Sequence, residues 1–314
     1  MNRIINYIEL IRPVNLAIIA ATQVFVYYYI IKANFERALI ESNLSPALLF
    51  VFVGVTLLLA AGSYVINDIF DCTEDQINKE KKSLTYRRIS VKNAKIYYYL
   101  LSAVGFIMAW AIATSISKFH LLIIYPIAVF LLYQYSAKWK KQGWKGNLVV
   151  AGFCAFVIAV FLVAEPQLIS NAHPSAKLAC HTILALSLFA FIINLCREMI
   201  KDIEDIEGDK IAQSNSLPIT IGISKTKALT KILIYSLIVL ILLWLYHMRY
   251  RSDFFINTFA FLFLIAPLRV SVTKITQARE KFEYSFISRL LKLMMLSGLI
   301  FFYISTRLEN NGNF

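Results

Sequence analysis

The sequence predicts an all-α polytopic membrane protein, with nine transmembrane helices around a central cavity and a single domain over residues 1–314. Three observations lead there. Hydrophobic residues make up 59% of the 314 and charged residues only 16%, far from a soluble average. Apolar runs of about 20 residues recur along the chain, enough to cross ~30 Å of hydrocarbon. Lys and Arg are distributed very unequally between alternate loops, as topology demands of a multi-pass protein.

The apolar runs fall at roughly 8–31, 46–66, 96–116, 121–137, 146–165, 176–196, 228–248, 254–272 and 286–305. Each is expected to be helical, because lipid offers the backbone no other hydrogen-bond partner. The 121–137 run is short for a span. The N-terminus has no small-residue cleavage site and the first run is long, so no cleavable signal is expected. The tyrosines at 27–29 and 97–99 read as interfacial-belt or core residues.

With nine spans and a cytoplasmic N-terminus, the C-terminus lies outside. The cytoplasmic side then carries 25 of the 32 Lys and Arg residues, all but Lys32, Arg37, Lys118, Lys177, Arg249, Arg251 and Arg307. This bias accounts for the net charge of +13 without a nucleic-acid partner. Anionic lipid head groups of a cell membrane are the plain partner for those charges. Cys72, Cys154, Cys180 and Cys196 are scattered, which argues against a zinc site. The four histidines are isolated as well.

One carboxylate spacing occurs twice. Asp68, Asp71 and Asp75 follow Asn67, and Asp202, Asp205 and Asp209 repeat the interval 134 residues later. Residues at i, i+3 and i+7 share one helix face, so each triplet is expected to form a stripe of negative charge. Carboxylates at the ends of apolar segments are costly unless paired, and so point to function. Asn15 and Asn147 are 132 apart, and the two intervals together hint at an internal duplication. A lone carboxylate near a helix end reads as a solvated cap; six at matched spacing do not.

Two such stripes facing each other would hold Mg²⁺, which takes one or two carboxylates and usually brings a phosphorylated ligand. Residual phosphate charge calls for Lys or Arg. Lys79, Lys81, Lys82, Arg87 and Arg88 follow the first stripe, Arg197, Lys201 and Lys210 flank the second, and Lys138, Lys140 and Lys141 follow Tyr133 and Tyr135. Some of these charges serve topology or lipid binding alone, and the two tyrosines also suit an interfacial belt. A metal-binding mouth above helices rich in Phe, Tyr, Leu and Ile suits a ligand with a diphosphate head and a hydrocarbon tail. A cation-coupled transporter is the rival of another class, but it would place its acids near the midplane on broken helices.

These motifs resemble those of the UbiA superfamily of intramembrane prenyltransferases. Asn67-Asp68-x-x-Asp71-x-x-x-Asp75 is similar to the first family signature, and Lys201-Asp202-x-x-Asp205-x-x-x-Asp209, followed by Leu217-Pro218 and Gly222, to the second. Tyr135 to Lys140 with Gly146-Asn147, and Arg12-Pro13-x-Asn15, resemble two further stretches. The resemblance implies that Mg²⁺ and basic residues draw off the diphosphate of an allylic prenyl donor and that an acceptor captures the carbocation. By the same resemblance, Asn67, Asp68, Asp71, Asp202 and Asp205 hold Mg²⁺ and diphosphate, with Asp75 and Asp209 completing the metal site. The resemblance also implies that Lys140 contacts diphosphate, Tyr135 lines the reaction centre and Asn15 helps place the acceptor, while Lys82, Arg88, Arg197 and Lys201 are candidates for substrate binding as cations close to the two motifs. The loop Asn78 to Ser83 departs from the family by lacking proline. The acceptor is hydrophobic or aromatic: the Arg-Pro-x-Asn and Lys-Asp-Ile-Glu-Asp forms most resemble the geranylgeranylglyceryl-phosphate geranylgeranyltransferase branch, and a quinone precursor such as dihydroxynaphthoate or 4-hydroxybenzoate is the alternative.

Overall fold

The computed structural model describes residues 3–72, 89–211, 213–247 and 254–311. Among them there is no strand, and nine helices are long and apolar enough to cross a membrane: Pro13–Arg37, Pro46–Phe70, Val91–Ser115, Phe119–Ala137, Trp144–Ala164, Pro174–Glu204, Ile223–Tyr246, Phe254–Gln277 and Lys281–Ser305. They are numbered here as spans one to nine. All nine expected runs are found. The boundaries move, chiefly because helices continue past the apolar run into the polar interface. Span six was expected to end near 196 and runs to Glu204. At 31 residues it extends over ~46 Å, well beyond the hydrocarbon, so its last turns carry Glu198, Lys201 and Asp202 out of the apolar core.

Span one departs from the expected uninterrupted helix. A short helix, Arg3–Leu10, precedes it, and the chain breaks at Arg12, whose φ is 54°. Pro13 disfavours helical geometry in the residue before it and opens the next helix as its first residue. That helix, Pro13–Phe25, passes into a π-helical stretch, Val26–Lys32. Spans two and six both begin with proline at the first position, after Ser45 and His173 respectively. The Ser45 hydroxyl accepts from the Leu48 N–H at 3.3 Å, and the His173 Nδ1 accepts from the Ser175 N–H at 3.2 Å, satisfying amide donors that a helix start leaves unpaired.

The chain divides into two compact units, one of residues 1–25 and 42–140 and the other of 26–41 and 141–314. In the first, span two packs along span three. Their contact is a cluster of Leu10, Ala61, Val65, Ile66, Ile89, Ala94, Tyr98 and Leu101. Gln23 donates to the Thr56 hydroxyl at 3.1 Å, the kind of polar bond that ties helices together in lipid. In the second unit span six is the central helix, packed by spans five, seven and nine. Ile183, Ile193, Cys196 and Ile200 on it are fully buried. Gly298 of span nine admits the Phe189 ring, which a β-carbon would displace.

Candidate active site

In the first unit the helix of span two ends at Phe70, and Asp71 is its C-cap. Asp68 and Asp71 are almost fully buried, at 2% and 5% exposure. Four unpaired carbonyls close such a helix end and give it partial negative charge. Two carboxylates added there raise the local demand for cations. Arg12 answers at Asp68, its guanidinium donating to Oδ1 at 2.7 Å while stacking over Tyr64 at 4.7 Å. The positive φ of Arg12 is uncommon outside glycine and is tolerated only where the surroundings over-determine it; the ion pair and the ring contact do so. Asp71 takes two donors on Oδ2: the Asn67 amide at 2.7 Å and the Lys140 ammonium. Tyr133, on the last turns of span four, meets Phe70 edge-on with centroids 5.5 Å apart. Tyr135 is half-buried on the same turn, and Asn15 stands one turn on from Arg12, its N–H donating to the Arg12 carbonyl at 2.9 Å.

The second unit repeats the pattern with different partners. The helix of span six ends at Glu204, Asp205 is its C-cap, and a short helix, Ile206–Ile211, carries Asp209. The Asn147 amide donates to Asp202 at 2.7 Å. Lys281 lies 3.9 Å from Asp205. Gly143, at φ 60°, opens span five, and a β-carbon there would sit 3.0 Å from the Asn215 carbonyl. Only glycine combines that backbone with that close approach. It allows the Asn215 N–H to donate to the Lys141 carbonyl at 3.1 Å, which joins the loop before span five to the loop after the second motif.

The expectation of an unbroken acidic stripe therefore needs correction. Neither triplet lies on one continuous helix. Each helix is interrupted at the middle aspartate, at Asp71 and again at Asp205. Aspartate side chains compete for the backbone and are disfavoured at the negative end of the dipole, so the turn that gathers them is the turn that breaks. The interruption falls at equivalent positions of both motifs, in keeping with the duplicated interval. Asp75, Lys82 and Arg88, with Lys79, Lys81 and Arg87, lie outside the described residues.

The UbiA prenyltransferase family model matches residues 38–292. The chain belongs to the UbiA prenyltransferase family. It is a multi-pass membrane prenyltransferase, as the sequence motifs predict. Among UbiA relatives, a digeranylgeranylglyceryl phosphate synthase of Methanobrevibacter smithii is 30% identical over 310 residues, 96% of this chain and 97% of that one. One of Sulfurisphaera tokodaii is 31% identical over 236 residues, 74% of this chain and 76% of the relative. A solved structure described as bearing on the biosynthesis of digeranylgeranylglyceryl phosphate synthase in membranes superposes with a TM-score of 0.66 at 25% identity, over 98% of this chain and 99% of that chain. A UbiA homolog from Archaeoglobus fulgidus bound to GPP and Mg²⁺ shares the fold, with a TM-score of 0.58 at 18% identity, over 95% of this chain and 99% of that one.

Three residues gain weight that sequence reading had not given them. Arg12 was visible only as part of a motif, and Asn147 as part of a motif and of the matched asparagine interval; here each holds an aspartate. Glu198 drew no notice, although it binds Arg197 at 3.0 Å and Lys201 at 3.3 Å. An acid one turn before Asp202, between two basic residues, was the available signal. A cavity of about 580 Å³ in the second unit, lined by Leu178, Phe189, Ile241 and Trp244 with Lys177 and His181, lies along the first half of span six and is remote from Asp202.

Proposed function

We propose that this chain catalyses the Mg²⁺-dependent transfer of a geranylgeranyl group from geranylgeranyl diphosphate to a glyceryl-phosphate acceptor, geranylgeranylglyceryl phosphate. One observation carries the metal and diphosphate part: aspartates gathered at two matched helix ends, Asp68 and Asp71 buried and Asp202 and Asp205 half-buried, each with a named cationic or amide partner. The names of the relatives support the acceptor class, and the homolog bound to GPP and Mg²⁺ supports the donor class.

The donor set fits Mg²⁺. It consists of hard oxygens, the carboxylates of Asp68 and Asp71 at one motif and of Asp202 and Asp205 at the other. Among the described residues no three acidic, histidine or cysteine side chains converge on one point. Mg²⁺ asks for one or two carboxylates and fills its shell with water and phosphate oxygens. When bound, it supplies Lewis-acid stabilisation of the departing diphosphate. Asp68, Asp71, Asp202 and Asp205 would provide its ligands, with Asp75 and Asp209 completing the set. Arg12, Asn67 and Asn147 fix those carboxylates, as outer partners of metal ligands do. Lys140 would contact the diphosphate directly. Tyr135 would line the apolar side, where exclusion of water protects an allylic cation, and Asn15 would help place the acceptor. In the reaction the allylic C–O bond breaks, diphosphate leaves with the electron pair, the acceptor hydroxyl oxygen bonds to the allylic carbon, and its proton is released.

The test uses purified protein with geranylgeranyl diphosphate and geranylgeranylglyceryl phosphate. Pyrophosphate and the doubly prenylated lipid are expected in equal amounts, with Mg²⁺, and neither with EDTA. Product formation unaffected by EDTA would reject the metal role, and turnover with an aromatic acceptor alone would reject the acceptor.

We also propose that the N-terminus and both aspartate motifs face the cytoplasm, on the strength of the distribution of basic residues. Single cysteines at Gln142 and Asn171, in a background lacking the four native ones, distinguish the orientations. An impermeant maleimide is expected to label position 171 in intact cells and position 142 only after permeabilisation. The reverse pattern would invert the topology.

A further inference from the structure

The cavity along the first half of span six has a polar end and an apolar body. Its volume is about 580 Å³, within the ~300–1,000 Å³ of ordinary ligand pockets. Lys177 and His181 line it one turn apart, near the start of span six. Leu188 and Phe189 line it deeper on the same helix, with Leu240 from span seven and Phe302 from span nine. Lys177 and Phe189 are twelve residues apart, ~18 Å of helix, so the lining follows just over half of the ~30 Å hydrocarbon, the depth of one leaflet with its interface. Both polar side chains are exposed. Neither forms an ion pair or a side-chain hydrogen bond within the described residues, and no Asp or Glu lines the cavity. Topology does not call for this lysine. Its side of the membrane carries 7 of the 32 Lys and Arg residues, and the other side supplies the charge bias that orients a multi-pass chain.

We infer that this cavity binds an anionic glycerophospholipid of the leaflet opposite the second aspartate motif, with its phosphate on Lys177 and His181 and one acyl chain along Leu188, Phe189, Leu240 and Phe302. Charge complementarity selects the head group. Lys177 supplies an ammonium and His181 a ring N–H in either protonation state, and a phosphodiester accepts both as charge-assisted bonds. The body selects the tail, because an apolar lining at membrane depth gains from hydrocarbon and penalises an unpaired polar group. The prenyl donor does not suit the cavity. On the reading above its diphosphate belongs at Asp202, twenty-five residues beyond Lys177 and ~38 Å along the helix. A prenyl chain entering from that end would finish against two polar groups that call for an anion. The bound lipid would tie spans six, seven and nine together at the end away from the motif.

The test titrates phosphatidylglycerol or phosphatidylcholine into the full chain in neutral detergent and counts bound lipids by native mass spectrometry. Wild type is expected to hold one phosphatidylglycerol more tightly than phosphatidylcholine. The double variant Lys177→Gln/His181→Gln should bind phosphatidylglycerol ~10-fold or more weakly and no longer prefer it. Ala185 also lines the cavity, and Ala185→Trp, which fills its body, should remove the tight site for both lipids. Lys145→Gln, at an exposed cation on another helix, should match wild type. Unchanged phosphatidylglycerol affinity in the double variant would overturn the inference, as would an equal loss in Lys145→Gln, the mark of unspecific charge attraction. Unchanged binding in Ala185→Trp with a thermal midpoint near wild type would reject the seat of the acyl chain. If that variant does not fold, the double variant, confined to exposed side chains, decides alone. Displacement of the lipid by inorganic phosphate would reduce the site to a simple anion site, and displacement by equimolar geranylgeranyl diphosphate would assign the cavity to the prenyl chain; either result rejects the phospholipid.

Discussion

Replacing Asp68 or Asp202 with alanine is expected to reduce prenyl transfer by at least ~10²-fold while the protein still folds and inserts. Losing a partner that merely orients a metal ligand already costs 10- to 100-fold, and these residues are proposed as the ligands. Folding should survive for local reasons. Asp68 lies in the last turn of span two and Asp202 in the last turns of span six, where a negative charge opposes the helix dipole by ~0.3–1 kcal/mol. Removing a carboxylate there relieves that term. The remaining concern is the partner left behind. Arg12 is 39% exposed at its side chain, so it can turn to water or lipid phosphates and does not become a buried orphan charge. Asn147 is more confined, at 8% exposure, and loses one hydrogen bond to a carboxylate, roughly 1.5–3 kcal/mol, which the relieved dipole term offsets in part. The asparagine substitutions Asp68→Asn and Asp202→Asn keep the shape and accept the same bonds without the charge. They should be as inactive as the alanines at saturating Mg²⁺, with elution profiles in detergent like wild type. Near-normal turnover in any of the four would remove that motif from the metal site.

The fold was legible where the physics is one-dimensional. Hydropathy located all nine spans because the bilayer imposes length and composition on each independently of its neighbours. It could not place their ends. Span six continues through Glu198, Lys201 and Asp202 because a helix needs no apolar residues once it reaches the interface, and span one breaks at Arg12 because of Pro13, a signal that periodicity averages away. The aspartate spacing identified the reactive turns, yet read as an ideal helix it missed the interruptions at Asp71 and Asp205. Pair contacts were harder still. Arg12 with Asp68 spans 56 residues and Asn147 with Asp202 spans 55; nothing local in the chain announces either. The matched asparagine interval gave a trace of the second, and the Arg-Pro motif a trace of the first. Glu198 was missed because a single acid between two basic residues resembles an ordinary surface turn until burial shows otherwise.

Lys140→Ala is expected to lower kcat/KM for the prenyl diphosphate by ~10- to ~150-fold, the range for losing a charge-assisted contact of roughly 1.5–3 kcal/mol. The split between the constants carries the argument. Charge accumulates on the leaving diphosphate as the allylic bond breaks, so a cation touching it acts more strongly in the transition state than in the ground state. Both a lower kcat and a higher KM should follow. The structure adds a competing route, because Lys140 binds Asp71, which is only 7% exposed at its side chain. Without the lysine, Asp71 keeps the Asn67 amide but loses its cation. If Lys140 acts solely by positioning Asp71, the variant should need more Mg²⁺ for half-maximal rate while KM for the diphosphate stays constant. If it touches the substrate, the diphosphate KM rises at saturating Mg²⁺ and Lys140→Arg recovers part of the loss. Lys145 provides the comparison: it is exposed and bonds to Gln142 at 3.3 Å, and its alanine variant should stay within about two-fold of wild type, as expected of a charge that serves topology. Equal and small effects at both positions would reduce Lys140 to such a charge, and the diphosphate contact would have to come from another residue.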